Sequence, residues 1–224
     1  MTAPTRLGLF GGTFDPVHVG HLDAAAAARR ALGLDRVLFI PSHLPPHREA
    51  DPRATQFHRF AMVVLATNDT AEYRACDIEV RRTGTSYTHD TLLGLHADGW
   101  HPSQLFFIIG TDAFAEIALW REFGKLVEGT NFAVVGRTGT TLTNAPTRTP
   151  ALGHRVRALA EAGAASASPA VYLIDAATRD VSSSQIRQEL AAGQPIAHLV
   201  PEAVERHIIR HGLYGAVDRL HGNT

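Results

Sequence analysis

The sequence has 224 residues, of which 45% are hydrophobic, and its 21 lysines and arginines nearly balance its 22 aspartates and glutamates. This length suffices for one α/β domain over residues 1–224, and the formal net charge of −1 argues against a surface that binds nucleic acid. Cys76 is the single cysteine, so no internal disulfide is expected. The lack of a signal peptide, and of an apolar run of roughly 18 residues, predicts a cytoplasmic protein without a membrane segment.

The first 32 residues pass from a strand to a helix. An apolar run at Arg6–Phe10 predicts a strand, and an alanine-rich segment at Leu22–Leu32 predicts a helix. Between them, Gly11 and Gly12 predict a sharp turn whose backbone N–H groups can approach an anion. Pro16 fixes φ in the loop that follows. This stretch therefore predicts a phosphate-binding turn.

Two histidines stand where this helix should begin. His18 and His21 are three residues apart, which places both side chains on one face near the positive end of the helix dipole, where phosphate binds. For an isolated HxGH tetrapeptide, two exposed histidines in a tight turn would be the simpler interpretation, but the preceding GGTFDP favours phosphate binding. Neither GxxxxGK[ST] nor GxGxxG is present. His43 and His47 have the spacing of a helical zinc pair, but residues 45–46 are prolines, so no metal site of protein ligands is predicted.

The rest of the chain alternates between strand and helix patterns. Strands are predicted at Arg36–Ile40, Tyr73–Val80, Leu105–Ile109, Asn131–Val135 and Val171–Ile174. Helices are predicted at Thr55–Asn68, where Phe57, Phe60, Ala61 and Val64 recur at helical spacing, and at Thr88–Ala97, Leu152–Ala162, Ser183–Ala192 and Pro201–His211. Long loops are predicted at Pro41–Ala54 and Thr138–Pro150. The alternation predicts an α/β fold with a doubly wound, Rossmann-like parallel sheet, whose ligands bind beyond the carboxyl ends of the strands.

Several short motifs together carry a family resemblance. Residues 11–21, GGTFDPVHVGH, and residues 181–187, VSSSQIR, resemble the two signatures of the HxGH nucleotidyltransferase superfamily. In the second signature, valine and serine replace the usual isoleucine and threonine. PPHR at 45–48, SYT at 86–88 and IGTD at 109–112 narrow the resemblance to bacterial nicotinate mononucleotide adenylyltransferases.

The resemblance implies transfer of AMP from ATP to nicotinate mononucleotide, giving nicotinate adenine dinucleotide and pyrophosphate, with Mg²⁺ accompanying ATP. It assigns catalysis to His18, His21 and Arg187. The ATP-binding residues it implies are Gly11, Gly12, Thr13, Phe14, His18, His21, Arg137, Ser182, Ser183, Ser184 and Arg187. For nicotinate mononucleotide it implies His47 and Arg48 at the phosphate, Tyr87 and Thr88 at the carboxylate, Asp112 at the ribose and Trp120 stacked on the pyridine ring.

The sequence leaves alternatives open. Ser182 and Gln185 have the spacing of a capping box, so the three serines also fit an ordinary helix start. Trp120 also fits plain core packing. Three alternatives for the function stay open. The adenylyl acceptor could be a different one, such as nicotinamide mononucleotide or phosphopantetheine. The chain could also be a cytidylyltransferase, or a catalytically silent nucleotide-binding module. The oligomeric state cannot be read from the sequence.

Overall fold

Seven parallel strands form one sheet in the computed structural model, which describes residues 5–46, 52–136, 149–162 and 168–216. The strands are β1 (Leu7–Gly12), β2 (Arg36–Pro41), β3 (Tyr73–Ala75), β4 (Leu105–Gly110), β5 (Asn131–Val135), β6 (Val156–Arg157) and β7 (Val171–Ile174). Their order is β3-β2-β1-β4-β5-β7-β6, and every pairing is parallel. The direction of winding changes between β1 and β4. The predicted doubly wound parallel sheet is confirmed.

Helices cover both faces of the sheet. They are α1 (Val19–Leu32), α2 (Gln56–Thr67), α3 (Thr88–Ala97), α4 (Thr111–Ala115), α5 (Phe123–Gly129), α6 (Ser183–Ala191) and α7 (Glu202–Arg210). Successive strand residues point to opposite faces. In β4, Phe106 and Ile108 therefore pack in the apolar layer under α1, α2, α6 and α7, whereas Phe107 and Ile109 pack in the layer under α3, α4 and α5. Burial on both faces explains why this strand is a continuous apolar run.

The strand predicted at Tyr73–Val80 was wrong in extent, because β3 ends at Ala75. β3 is one of the two edge strands, and just after it the backbone N–H of Cys76 donates to the carbonyl of Phe39 in β2 at 2.8 Å. The residues that follow curl into turns instead of continuing along β2.

The helix predicted at Leu152–Ala162 was wrong in type. The chain there forms short 3₁₀ turns at Pro150–Arg155 and Leu159–Glu161, separated by the two-residue strand β6. Gly153 weakens the local helix propensity, and the backbone pairs instead with the exposed edge of β7. Tertiary pairing thus overrides a weak local pattern. None of the helices in the described ranges combines the length and apolar character that a bilayer crossing requires.

Candidate active site

The candidate site lies at the carboxyl ends of β1 and β4, where the two strands separate. β1 pairs with β2 as far as Gly12, but its pairing with β4 ends at Leu9, opposite Phe107. The prediction of a turn at the glycines was wrong, because β1 continues through both of them and the carbonyl of Gly12 accepts the N–H of Ser42 at 2.9 Å. The chain turns at Phe14, whose φ is 50°.

A Cβ on Gly12 would lie 3.1 Å from the ring of Phe14. The second glycine of the motif therefore makes room for this ring, which is 2% exposed. Phe14 packs edge-on against His21, with ring centroids 5.0 Å apart. Phe14 therefore supports the ring of His21. The ATP contact that the family resemblance implies for Phe14 stays a prediction.

Two cavities, each of about 230 Å³, adjoin this segment. The first, which we call the aromatic cavity, is lined among others by Gly12, Thr13, Tyr87, Thr88, Trp120 and Arg121. The second, which we call the histidine cavity, is lined among others by His18, His21, Gly110, Asp112, Thr178 and Arg179. Ala113 lines both, so the two cavities are neighbours across the start of α4. Ligands in the two cavities would meet at the point where β1 and β4 separate.

The HxGH histidines form one wall of the histidine cavity. His18 is the N-cap residue of α1 and is 4% exposed, and His21 is the third residue of that helix. Their rings stack with centroids 3.6 Å apart. The backbone N–H of His18 donates to Nδ1 of His21 at 3.2 Å, so a neutral His21 carries its proton on Nε2. The two side chains lie together at the helix start, as their spacing predicts, and both residues line the histidine cavity.

Asp15 ties the loop after β1 to three other parts of the chain. It is 1% exposed, and its carboxylate accepts the backbone N–H groups of Arg53 and Ala54 at 2.8 and 3.0 Å and the hydroxyl of Tyr214 at 2.8 Å. Its carbonyl accepts Nη1 of Arg187 at 2.7 Å. Burial and the adjacent carboxylate raise the pKa of the Tyr214 hydroxyl, which therefore stays a donor. The sequence pattern did not single out Asp15 as a site residue, although Asp15 lies within the GGTFDP motif.

Arg59 is a second buried residue that the sequence did not single out. It is 1% exposed, and its guanidinium donates to the carbonyls of Thr13, His43 and Ala54 at 2.7, 2.9 and 3.2 Å. These carbonyls belong to the loops after β1 and β2 and to the segment before α2. Arg59 thereby fixes three backbone segments around the aromatic cavity.

The second signature packs against the same loop. Ser182 caps α6 by accepting the N–H of Gln185 at 3.1 Å, and the hydroxyl of Ser183 donates to the carbonyl of Pro16 at 2.9 Å. Nη2 of Arg187 donates to the hydroxyl of Ser184 at 3.0 Å. The cap and the loop contacts coexist. None of these side chains is among the residues that line the two cavities, so their phosphate contacts stay predictions.

The aromatic cavity joins a helix start to two aromatic side chains. Tyr87 is the N-cap residue of α3 and Thr88 is its first residue, so the N–H groups of Thr88 and His89 have no acceptor within the helix. Trp120 packs edge-on against Phe107 with ring centroids 6.0 Å apart. The guanidinium of Arg121 lies 4.6 Å from the centre of the Tyr87 ring. The cavity thus combines an indole, an aromatic-bound cation and a helix start.

The remaining predicted residues are placed as follows. Asp112 lies at the start of α4 and lines the histidine cavity, whereas Trp120 lines the aromatic one. His47, Arg48 and Arg137 lie outside the described residues. Within the described ranges, no three His, Cys, Asp or Glu side chains are placed to hold a metal ion.

Residues 9–189 match the cytidylyltransferase-like family, and the chain belongs to that family. A relative from Symbiobacterium thermophilum, described as a probable nicotinate-nucleotide adenylyltransferase, is 38% identical over 211 residues, covering 93% of this chain and 95% of its own. A relative from Roseiflexus with the same description is 39% identical over 208 residues, covering 93% and 97%.

These identities over nearly full lengths place the chain, more narrowly, among the nicotinate-nucleotide adenylyltransferases. The resemblance inferred from the motifs is confirmed. Among solved structures, this chain resembles the nicotinic acid mononucleotide adenylyltransferase of Plasmodium falciparum complexed with NaAD, with a TM-score of 0.69 at 17% identity. The superposition covers 94% of this chain and 98% of the Plasmodium chain. At that identity the likeness shows the fold.

Proposed function

We propose that this chain transfers the adenylyl group of ATP to nicotinate mononucleotide, forming nicotinate adenine dinucleotide and pyrophosphate. The observation that carries the proposal is the pair of neighbouring cavities at the end of β1, one walled by stacked histidines and the other by Trp120 and the start of α3. Relatives at 38% and 39% identity that are described as nicotinate-nucleotide adenylyltransferases support it.

The reaction needs in-line positioning and charge neutralisation. A phosphate oxygen of the mononucleotide attacks the α-phosphorus of ATP and forms a new P–O bond. The bond between the α-phosphorus and the oxygen that bridges it to the β-phosphate breaks, and pyrophosphate leaves with that oxygen. We propose that His18 and His21, which line the histidine cavity, donate N–H groups to the phosphate oxygens and that neither serves as a covalent nucleophile. Arg187 holds the loop of residues 13–16 through the carbonyl of Asp15.

Mg²⁺ would enter with ATP and neutralise charge on its phosphates. The described residues offer no cluster of three metal ligands. We therefore propose that the ion is held by phosphate oxygens and water, as is common for Mg²⁺ with nucleotides.

The aromatic cavity suits a pyridine carboxylate. We propose that the indole of Trp120, which lines the cavity, stacks on the cationic pyridinium ring, and Arg121 is the one cationic side chain among the described residues that line this cavity. A carboxylate can accept from the N–H groups at the start of α3 and gains from the positive helix end. A carboxamide accepts through a single oxygen, and its NH₂ needs an acceptor of its own.

The test is kcat/KM for nicotinate mononucleotide, nicotinamide mononucleotide and phosphopantetheine, each at saturating Mg-ATP, with pyrophosphate release as the readout. We expect the nicotinate form to be preferred by at least about tenfold over the nicotinamide form, because one lost charge-assisted bond and one unpaired NH₂ are each worth roughly 1–3 kcal/mol. Equal values for the two pyridine nucleotides would contradict the carboxylate assignment. If phosphopantetheine were the only one of the three substrates turned over, the proposed acceptor would be wrong.

A further inference from the structure

Glu79 is a buried carboxylate in the aromatic cavity that the proposed reaction does not use. It is 7% exposed and is the single acidic side chain among the described residues that line this cavity. Burial raises the pKa of the Glu79 carboxyl, while hydrogen bonds from Thr91 and Ser86 act in the opposite direction. An acid beside a site for a carboxylate ligand calls for a specific role, because two like charges repel each other.

One chain of hydrogen bonds ends on Glu79, and a second runs beside it. In the first, Nη1 of Arg82 donates to the hydroxyl of Thr91 at 3.0 Å, and that hydroxyl donates to Oε1 of Glu79 at 2.7 Å. In the second, the backbone N–H of His43 donates to the hydroxyl of Ser86 at 2.8 Å, and Ser86 acts to lower the pKa of Glu79. Each hydroxyl has one proton, so a hydroxyl that accepts an N–H can direct its proton to the carboxylate. The Thr91 hydroxyl is oriented by Glu79 in this way, and the Ser86 hydroxyl keeps its own proton for the same use.

These hydroxyls bracket the first turn of α3. Ser86 precedes residues 87–88 and Thr91 follows them, and the backbone N–H of Ser86 also donates to the carbonyl of Leu44 in the loop after β2 at 2.8 Å. We propose that Glu79 is a positioning residue for the acceptor, holding the start of α3 against this loop so that the N–H groups at 87–88 meet the acceptor carboxylate. This inference rests on the proposed function.

The same contacts explain how an acid can lie beside a carboxylate site. Both hydroxyl donors and the charge of Arg82, one step along the first chain, act on Glu79. Oε1 of Glu79 already accepts the Thr91 hydroxyl, which leaves this oxygen less available to the NH₂ of a carboxamide ligand. Glu79 thus supports selection of the acid over the amide through the turn that it holds.

Two substitutions test the role. Glu79→Gln keeps the shape but turns one acceptor oxygen into a donor, so one hydroxyl loses its acceptor. Thr91→Val removes the first chain at a residue that is 3% exposed and is not among those lining the cavity. In both variants we expect KM for nicotinate mononucleotide to rise at least about fivefold while KM for ATP stays within about twofold, since a buried unpaired polar group displaces only the turn it holds. Glu72→Gln, which breaks an ion pair with Arg29, is the matched control.

The outcomes separate the two proposals. Folded Glu79→Gln and Thr91→Val with wild-type KM for the mononucleotide overturn the positioning role, and so does an equal rise in both KM values. If Glu79→Gln does not fold, Thr91→Val decides. A wild-type enzyme that adenylates no pyridine mononucleotide defeats the proposed function and the inference together, whereas a selective wild type with unaffected variants defeats the inference alone.

Discussion

His21 shows how one backbone hydrogen bond selects the atom that a side chain offers to its ligand. Because Nδ1 of His21 accepts the N–H of His18, the proton of the neutral ring resides on Nε2, in a residue that lines the histidine cavity. The helix start thus fixes both the orientation and the tautomer. A donor held in this way needs no reorganisation during the reaction.

We expect His21→Ala to lower kcat by about 10²–10³ with the fold intact, the typical effect of removing one oxyanion donor. His21→Gln, which keeps a side-chain N–H, should lose less. Steady-state kcat and circular dichroism check both variants, with the exposed His101→Ala as the control. A folded His21→Ala enzyme with kcat within about threefold of wild type would remove this side chain from catalysis.

Single residues were predictable from the sequence only where their context is local. The HxGH pair lies within four residues, and its contact follows from helical spacing. Asp15 gave no such signal, because its partners come from distant segments, 38, 39 and 199 residues away. Long-range polar contacts of this kind carry no periodic pattern.

At the scale of elements, α2 illustrates what apolar spacing does and does not predict. The spacing located the helix, and Thr55 caps it by accepting the N–H of His58. The buried face is a different one, however, since Phe57 is 69% exposed while Arg59 is 1% exposed. Three backbone carbonyls satisfy the guanidinium, which lets a charged residue occupy a core position.

The 3₁₀ turn at Leu213–Gly215 contacts the candidate site through the hydrogen bond from the Tyr214 hydroxyl to the Asp15 carboxylate. We expect Tyr214→Phe to lower the free energy of unfolding by about 1.5–3 kcal/mol, because the Asp15 carboxylate loses a hydrogen-bond donor in a buried position. Urea unfolding measures this change. Because Asp15 also contacts Arg187, KM for ATP should rise as well.

Tyr73→Phe, which removes a phenolic hydroxyl from the edge strand β3, is the control for the loss of such a group elsewhere. A Tyr214→Phe protein with an unchanged unfolding midpoint would show that the two N–H groups from residues 53–54 satisfy Asp15 without the tyrosine.

At the scale of the whole molecule, the parallel sheet brings motifs that are far apart in the sequence to one edge. Arg187 contacts Asp15 across 172 residues, and the motifs at 11–21, 86–88 and 109–112 all follow or approach the carboxyl ends of strands. Alternating strands and helices predicted this convergence. The strand order and the edge strand β6 could not be read from local patterns, because β6 exists through its pairing with β7.

A cluster of three histidines links α2 to α7. Nδ1 of His58 lies 3.1 Å from Nε2 of His207, and the ring centroid of His211 lies 5.0 and 4.5 Å from those two rings. The contact needs one donor and one acceptor, which two imidazolium rings do not provide. Burial first, and then His211 and His58, lower the pKa of His207.

A lowered histidine pKa means that the unfolded chain binds a proton more readily than the folded one. This group therefore reduces stability as pH falls through the ordinary histidine range near 6.5, and has no such effect above it. Glu79, with its raised pKa, has the opposite effect, since its contribution to stability is lost as pH rises.

We expect the melting temperature to fall as the pH is lowered from 7.5 to 5.5, and to fall less in His207→Asn. His154→Gln, at an exposed position, should follow the wild type. Equal pH dependence in wild type and His207→Asn would show that the cluster does not bind protons differently in the two states.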